Sequence, residues 1–258
     1  KGTQSGTFSS GVSSLNPNTT YYYRCYAENS AGSDWANTSE SFTTLQVPTV
    51  TTDNVTNISV NSTTVNGNIT DLGNPNPTQH GHCWSTSSNP DINDNKTTLG
   101  SASSTGTFTS NISGLSPGQT YYVRAYATND AATSYGSGKT FTTLQPGLWT
   151  GTTSTDWNTA SNWDDGNVPT STVDVTIPSG CTNYPTIDET ANCQSITIEN
   201  GGEIDINSSY TLEVNGDFTL NDGGSFTNNG TLKFLGTSKS LNDNRITKTS
   251  LGDIEVGN

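Results

Sequence analysis

LSPGQTYYVRAYATND, residues Leu115–Asp130, places three tyrosines and an arginine in one short run. The same phrase stands earlier as LNPNTTYYYRCYAENS, residues Leu15–Ser30. Around it, GTF at Gly6–Phe8 recurs at Gly106–Phe108, and FTTLQ at Phe42–Gln46 recurs at Phe141–Gln145. A period of about 100 residues is too long for a solenoid rung and right for a β-sandwich domain. The repeated phrase is therefore either a binding site used twice or the framework of a domain used twice.

The second copy carries short alternating strands between turn residues: VTTDNVTNISVN, TTVNGNIT, GHCWST after an NPNP turn, GTFTSNI, YYVRAYATN and GKTFTT. Strands at that spacing indicate a sandwich, not βαβ units. Period-two alternation from Tyr121 sends Val123, Ala125 and Ala127 to the core and Tyr122, Arg124 and Tyr126 outward. The outward set is read as an exposed ladder with the arginine between two rings, matched in the first copy by Tyr22, Arg24 and Tyr26. It either stiffens the sheet or offers a ligand platform.

LxPxxTY, at Leu15–Tyr21 and Leu115–Tyr121, resembles the tyrosine corner of fibronectin type III domains. The whole of Val47–Gln145 resembles such a domain, of the sort common in large secreted proteins of Bacteroidetes. The first copy lacks counterparts of strands A, B and C, and Lys1 is not an initiator Met. The chain is accordingly expected to be an excerpt of a longer polypeptide. Within the resemblance, strands C and F are neighbours. That puts Cys83 against Ala125 as a lone buried thiol and leaves Cys25 core-facing, its partner lost with the missing strand.

Composition narrows the function. Only 28% of residues are hydrophobic and 12% charged, but the β-branched and aromatic residues are evenly spread, which fits an all-β chain and not disorder. A net charge of −14 repels nucleic acid and anionic membranes, while a divalent cation such as Ca²⁺ is easier to accommodate. No run of about 20 apolar residues is present, so membrane insertion is not expected. The chain does not open on a secretory signal pattern.

After Leu144–Pro146 the texture changes. LWTGTTSTDWNTASNWDDGNVPTSTVDVTIPSG holds Trp149, Trp157 and Trp163, and beyond Cys193 follow clipped in-out-in triplets: Ile196–Ile198, Ile204–Ile206, Leu212–Val214, Phe218–Leu220, Leu232–Phe234 and Ile254–Val256. The same face returns after about 22 residues, the length of a three-sided coil of a parallel β-helix. Stacking such coils predicts Leu212, Leu232 and Ile254 in one inner column and Glu213, Lys233 and Glu255 in the outer one. The entry motif resembles the opening of β-helical segments in secreted Bacteroidetes surface proteins. The tryptophans are read as a cap and junction core covering the first coil, with glycan stacking as the alternative. A disulfide between Cys181 and Cys193 is expected to staple this transition, which would suit an extracellular setting.

In HGHC, alternation places His80 and His82 on one face and Cys83 on the other, so no zinc site converges. DINDN at Asp91–Asn95 loosely matches a Ca²⁺ loop, but Lys96 stands where an EF-hand needs glycine. Lys233, Lys239, Arg245 and Lys248 lie beside carboxylates, as a β-helical polysaccharide lyase would require, in too few coils to form a cleft. GxSxG, HExxH and P-loop patterns are absent from the sequence, and neither a catalytic nor a metal residue is assigned.

The sequence thus reads as an all-β chain of fibronectin type III-like sandwich modules followed by a right-handed parallel β-helix. The divisions are 1–46 (C-terminal part of a truncated module), 47–145 (complete module), 146–194 (Trp-rich junction and cap) and 195–258 (start of the β-helix, continuing beyond Asn258). The expected role is a non-enzymatic, structural and adhesive segment of a large extracellular bacterial surface protein, a gliding adhesin being one specific form. Resemblance implies type IX secretion. Its partners would be neighbouring modules of the same chain, glycans or other cell-surface proteins. The alternative is a carbohydrate-binding or spacer region of a secreted glycan-degrading enzyme.

Overall fold

The computed structural model describes residues 6–257. The expectations attached to Lys1 and Asn258 lie outside the described residues. Among those described, the architecture is almost wholly β, with a single 3₁₀ turn at Ala160–Asn162. The chain divides into two compact units, one built on the sandwich strands and one on a solenoid.

The first copy forms two antiparallel pairs: β1 (Thr20–Tyr23) with β4 (Glu40–Thr43), and β2 (Tyr26–Asn29) with β3 (Gly32–Trp35). In the second copy, β5 (Thr49–Thr56), β6 (Ser62–Asp71) and β9 (Gly106–Ser113) make one sheet. Facing it are β7 (Gln79–Ser85), β8 (Asn95–Lys96), β10 (Thr120–Thr128), β11 (Thr133–Tyr135) and β12 (Lys139–Thr142), in the order β11-β10-β7-β8 with β12 also on β10. This is a fibronectin type III-like sandwich. Val50, Ile69, Ala125 and Ala127 form its core with Phe108 against them, and Val123 is equally buried.

The repeated motif is framework in both copies. The Asn16 N–H donates to the Tyr21 hydroxyl at 2.9 Å, which is the corner bond that the motif implies. Tyr21 stacks on Phe42 and Tyr121 on Phe141, with ring centroids 5.9 and 5.6 Å apart. The second threonine of FTT closes the corner: Thr44 Oγ1 donates to the Asn16 carbonyl, and Thr143 Oγ1 to the Ser116 carbonyl at 2.6 Å. Asn29 and Asn129 end the following strand by accepting from Ala31 N and Ala131 N at 2.8 and 2.9 Å, closing an Asx turn in each hairpin.

In the solenoid, β13 (Val175–Ile177), β14 (Thr186–Ile187) and β15 (Ala191–Cys193) form the first coil. Above them come β16 (Ile196–Ile198), β17 (Glu203–Ile206), β18 (Thr211–Val214), then β19 (Phe218–Leu220), β20 (Ser225–Asn228), β21 (Thr231–Leu235), and last β22 (Leu241–Asp243) and β23 (Asp253–Gly257). Three parallel sheets result, ordered β13-β16-β19-β22, β14-β17-β20 and β15-β18-β21-β23. Parallel stacking begins at Val175, earlier than residue 195, because even the two-residue β14 finds its partner in β17.

Leu212 pairs with Leu232 and Leu232 with Ile254, while Glu213 pairs with Lys233 and Lys233 with Glu255. The expected register is therefore the observed one. Unequal coil lengths are absorbed at the corners, where polar side chains bond the next coil. Asp174 Oδ1 accepts from Ser195 N, Ser195 Oγ from Asp217 N, and Asp217 Oδ1 from Ser240 N, at 3.2, 3.2 and 2.8 Å. Segment 147–156 bonds the lower edges of the first coil: Trp149 N donates to Thr176 O, Thr176 N to Gly147 O, and Thr186 N to Thr155 O.

The inner and outer columns should contribute very differently. Leu232→Ala removes a fully buried side chain and is expected to cost about 2–5 kcal/mol in chemical denaturation. Lys233→Ala breaks only the half-exposed 3.3 Å pair with Glu213 and is expected to cost under about 1 kcal/mol.

Candidate functional site

The two tyrosine–arginine ladders have the same sequence and different surroundings. In both, the arginine leaves its own strand's tyrosines and lies over the aromatic ring of the next strand. Arg124 sits 4.6 Å from the Tyr135 ring centroid and donates through Nε to the Gly136 carbonyl at 2.9 Å. Arg24 sits 5.2 Å from Trp35.

Tyr126 is not part of an exposed platform, since only 1% of it is accessible. It lies opposite Gly81 on β7, and its hydroxyl donates to the Thr97 carbonyl at 2.7 Å, one strand further on. The glycine leaves room for the ring to cross β7, and a Cβ there would run into the Thr97 carbonyl. Residues 86–95 cover the same face. Cys83 Sγ donates to Pro90 O at 3.4 Å and Ile92 N to the Tyr135 hydroxyl at 3.2 Å. Alternation located the two faces of β10 but could not show that a connection would bury the second one. Tyr122 and Arg124 stay half-buried.

The register also corrects the placement of Cys83, which lies opposite Arg124, while His82 lies opposite Ala125. Cys83 is buried and burial pushes its thiol up to about 11, so it behaves as a small hydrophobe. Cys25 is exposed, and its carbonyl accepts from Ala36 N at 2.9 Å as that of Ala125 accepts from Gly136 N. Cys181 and Cys193 are separate thiols. Cys193 points into the solenoid interior, paired with Val214, where burial raises its thiol to about 12. Cys181 turns toward the Trp149 and Pro178 carbonyls, 3.7 Å from each.

The tryptophans are core. Trp149, Trp157 and Trp163 are 0, 1 and 2% exposed and pack edge to face, Trp163 lying 5.0 Å from Trp149 and 4.8 Å from Trp157. Burial removes the ring faces a sugar would need, so glycan stacking on this cluster is excluded in this conformation. Asn162, which the sequence reading passed over, organises the loop. Its Oδ1 accepts from Thr153 N and Ser154 N, and its Nδ2 donates to Ser154 Oγ and the Asp156 carbonyl. The signal available was its place in the NW pair at the end of the tryptophan-rich run.

His80 and His82 both face the sandwich interior, each 4.9 Å from the Phe108 ring. His82 Nδ1 meets Ser110 Oγ at 2.8 Å, Ser110 Oγ meets Thr97 Oγ1 at 2.7 Å, and Thr97 Oγ1 accepts from His82 N at 3.0 Å. Nε2 is buried without a hydrogen-bond partner. Burial therefore holds His82 down to about 4, opposed in part by the Asn66 carbonyl. In DINDN, Asp91 Oδ1 accepts from Asn93 N and Asp94 Oδ2 from Asp91 N, at 2.7 and 2.9 Å. These carboxylates brace their own turn. Arg245 is held by Asp243 through both nitrogen–oxygen pairs at 2.9 and 2.8 Å, which drops the Asp243 carboxyl to about 2. Among the described residues, no group of three His, Cys, Asp or Glu side chains converges as a metal site.

Residues 148–249 match the model of a family described as "Domain of unknown function (DUF8693)". No curated protein matches the chain. Among solved structures, the sensor domain of the anti-sigma factor RsgI4 of Pseudobacteroides cellulosolvens is 20% identical at a TM-score of 0.29, over 38% of this chain and 95% of that one. The FN1–FN3 domains of chicken CNTN1 are 16% identical at 0.31, over 51% and 45%. The sixth fibronectin type III domain of a human fibronectin type III domain containing protein is 20% identical at 0.27, over 39% and 84%. The fold assignment rests on strand order and register, and these likenesses carry no function across.

Two outcomes follow from the buried polar groups. Asn162→Ala orphans two backbone amides and should destabilise the capped solenoid by about 2–3 kcal/mol in denaturant titration. His82 binds its proton less readily folded than unfolded, so stability is full above pH 6.5 and falls as pH drops from 6.5 to about 4. The loss amounts to roughly 3 kcal/mol. Thermal unfolding against pH should show that slope, and His82→Asn, which keeps a polar atom near Nδ1, should flatten it.

Proposed function

We propose that this chain is a non-catalytic structural and adhesive segment of a large modular bacterial surface protein. The observation that carries the reading is the unbroken parallel ladder of the solenoid, from β13 through β22 on one side and β15 through β23 on another. Each coil is bonded to the next by backbone groups, so load along the stack is shared among many hydrogen bonds at once. The sandwich module adds a second cooperative unit, locked by the Thr143 corner. The resemblance of both segments to secreted Bacteroidetes proteins supports an extracellular setting and type IX export. The tryptophan cluster supports a cap more than a sugar site, which favours the scaffold over the enzyme-accessory alternative.

No helix among the described residues is long and apolar enough to cross a membrane. Stretching the full chain between two tethers tests the mechanical role. A scaffold should give two separate cooperative unfolding events, each lengthening the chain by roughly 3.5 Å per residue released, and both should recover on relaxation. Smooth extension with no cooperative event would sink the reading.

A further inference from the structure

Asn129 is buried, and its side-chain amide uses every hydrogen-bonding position it has. The oxygen accepts from Ala131 N and Ala132 N at 2.9 and 3.2 Å, which closes the turn after β10. The nitrogen does something the turn does not need. It forks between the Gln46 and Pro75 carbonyls, 2.7 Å from each, and so joins the end of β10 to the point where the chain enters the second module.

Gln46 is gripped from other sides as well. It exchanges backbone bonds with Asn74, Gln46 N to Asn74 O at 2.8 Å and Asn74 N to Gln46 O at 2.9 Å. Its side chain donates to Asp71 Oδ2 at 3.2 Å, while Asp71 Oδ1 accepts from Gly73 N at 2.7 Å. Residues 46–48 press so closely on Gly73 that a Cβ there would run into the Gln46 carbonyl.

The strand that follows is held more loosely by its own sheet. β5 is an edge strand paired to β6 alone, and register shifts at Thr49/Val50 and Thr52/Val55 interrupt that ladder. Side chains tie β5 and its entry to the opposite sheet instead. Thr52 Oγ1 accepts from Ala125 N at 2.9 Å in the middle of the strand, and Asn129 holds the entry.

We infer that Asn129 latches the entry of the second module. While its Nδ2 holds Gln46 and Pro75 together, β5 cannot peel away from its amino-terminal end. Opening the latch frees residues 46–56 ahead of the rest of the sandwich. Tension arriving at Gln46 is thereby delivered to β10, inside the facing sheet, before it reaches the weak β5–β6 ladder. That load path rests on the scaffold reading, whereas the latch does not.

The test uses the full chain with Asn129→Asp, which keeps the acceptor half of the amide for Ala131 and Ala132 and removes the donor half. Asn129→Ser keeps an acceptor without the charge and serves as the second variant. Native-state amide exchange at Gln46, Asn74 and along β5 should quicken at least tenfold in both, while the amides paired between β7 and β10 stay within about twofold. Unchanged exchange at Gln46 and Asn74 would overturn the latch, as would equal acceleration everywhere, which marks Asn129 as a general stabiliser. When the chain is stretched, either variant should release residues 46–56 as a separate early step. Smooth extension of the unaltered chain, combined with selective exchange, would retire the load path and uphold the latch.

Discussion

Every strand has two edges, and the partner each edge finds governs the rest of this molecule. An unpaired backbone N–H or C=O is tolerable in water and costly once buried. In the solenoid the requirement is met by stacking, one coil's upper edge being the next coil's lower edge. At the bottom of the stack it is met by residues 147–156, which lay their backbone along β13 and β14. The tryptophans sit there because a segment that covers an edge must also cover the core beneath it.

The sandwich answers the same requirement with β7, and the effect reaches well beyond hydrogen bonding. Holding β10 from one side lets it switch from β12 to β11 on the other without breaking. It also brings Gly81 under Tyr126, so a ring that would otherwise be solvated is buried with its hydroxyl satisfied.

The buried polar groups divide by how completely they are satisfied. Asn162 uses both ends of its amide and holds a loop in one conformation. His82 satisfies Nδ1 through a closed ring with Ser110 and Thr97 and leaves Nε2 bare beside Phe108 and Gly67. The first arrangement rigidifies, and the second makes the module sensitive to acid. In both places the chemistry-bearing residues brace the fold. Asp91, Asp94 and Arg245 do the same at the surface, each directed at its own loop.

Periodicity in the sequence determined the local facts. It showed the duplicated module, the core set Val123, Ala125 and Ala127, the coil length, and the register that stacks Leu212, Leu232 and Ile254, because each follows from a repeat of two residues or of about 22. Only the tertiary structure decided what lay against the other faces. The burial of Tyr126, the exchange of His82 for Cys83 opposite Ala125, the two separate thiols at Cys181 and Cys193, and the interior tryptophans all depend on segments distant in sequence. Alternation says which way a side chain points, and it carries no information about what another part of the chain places there.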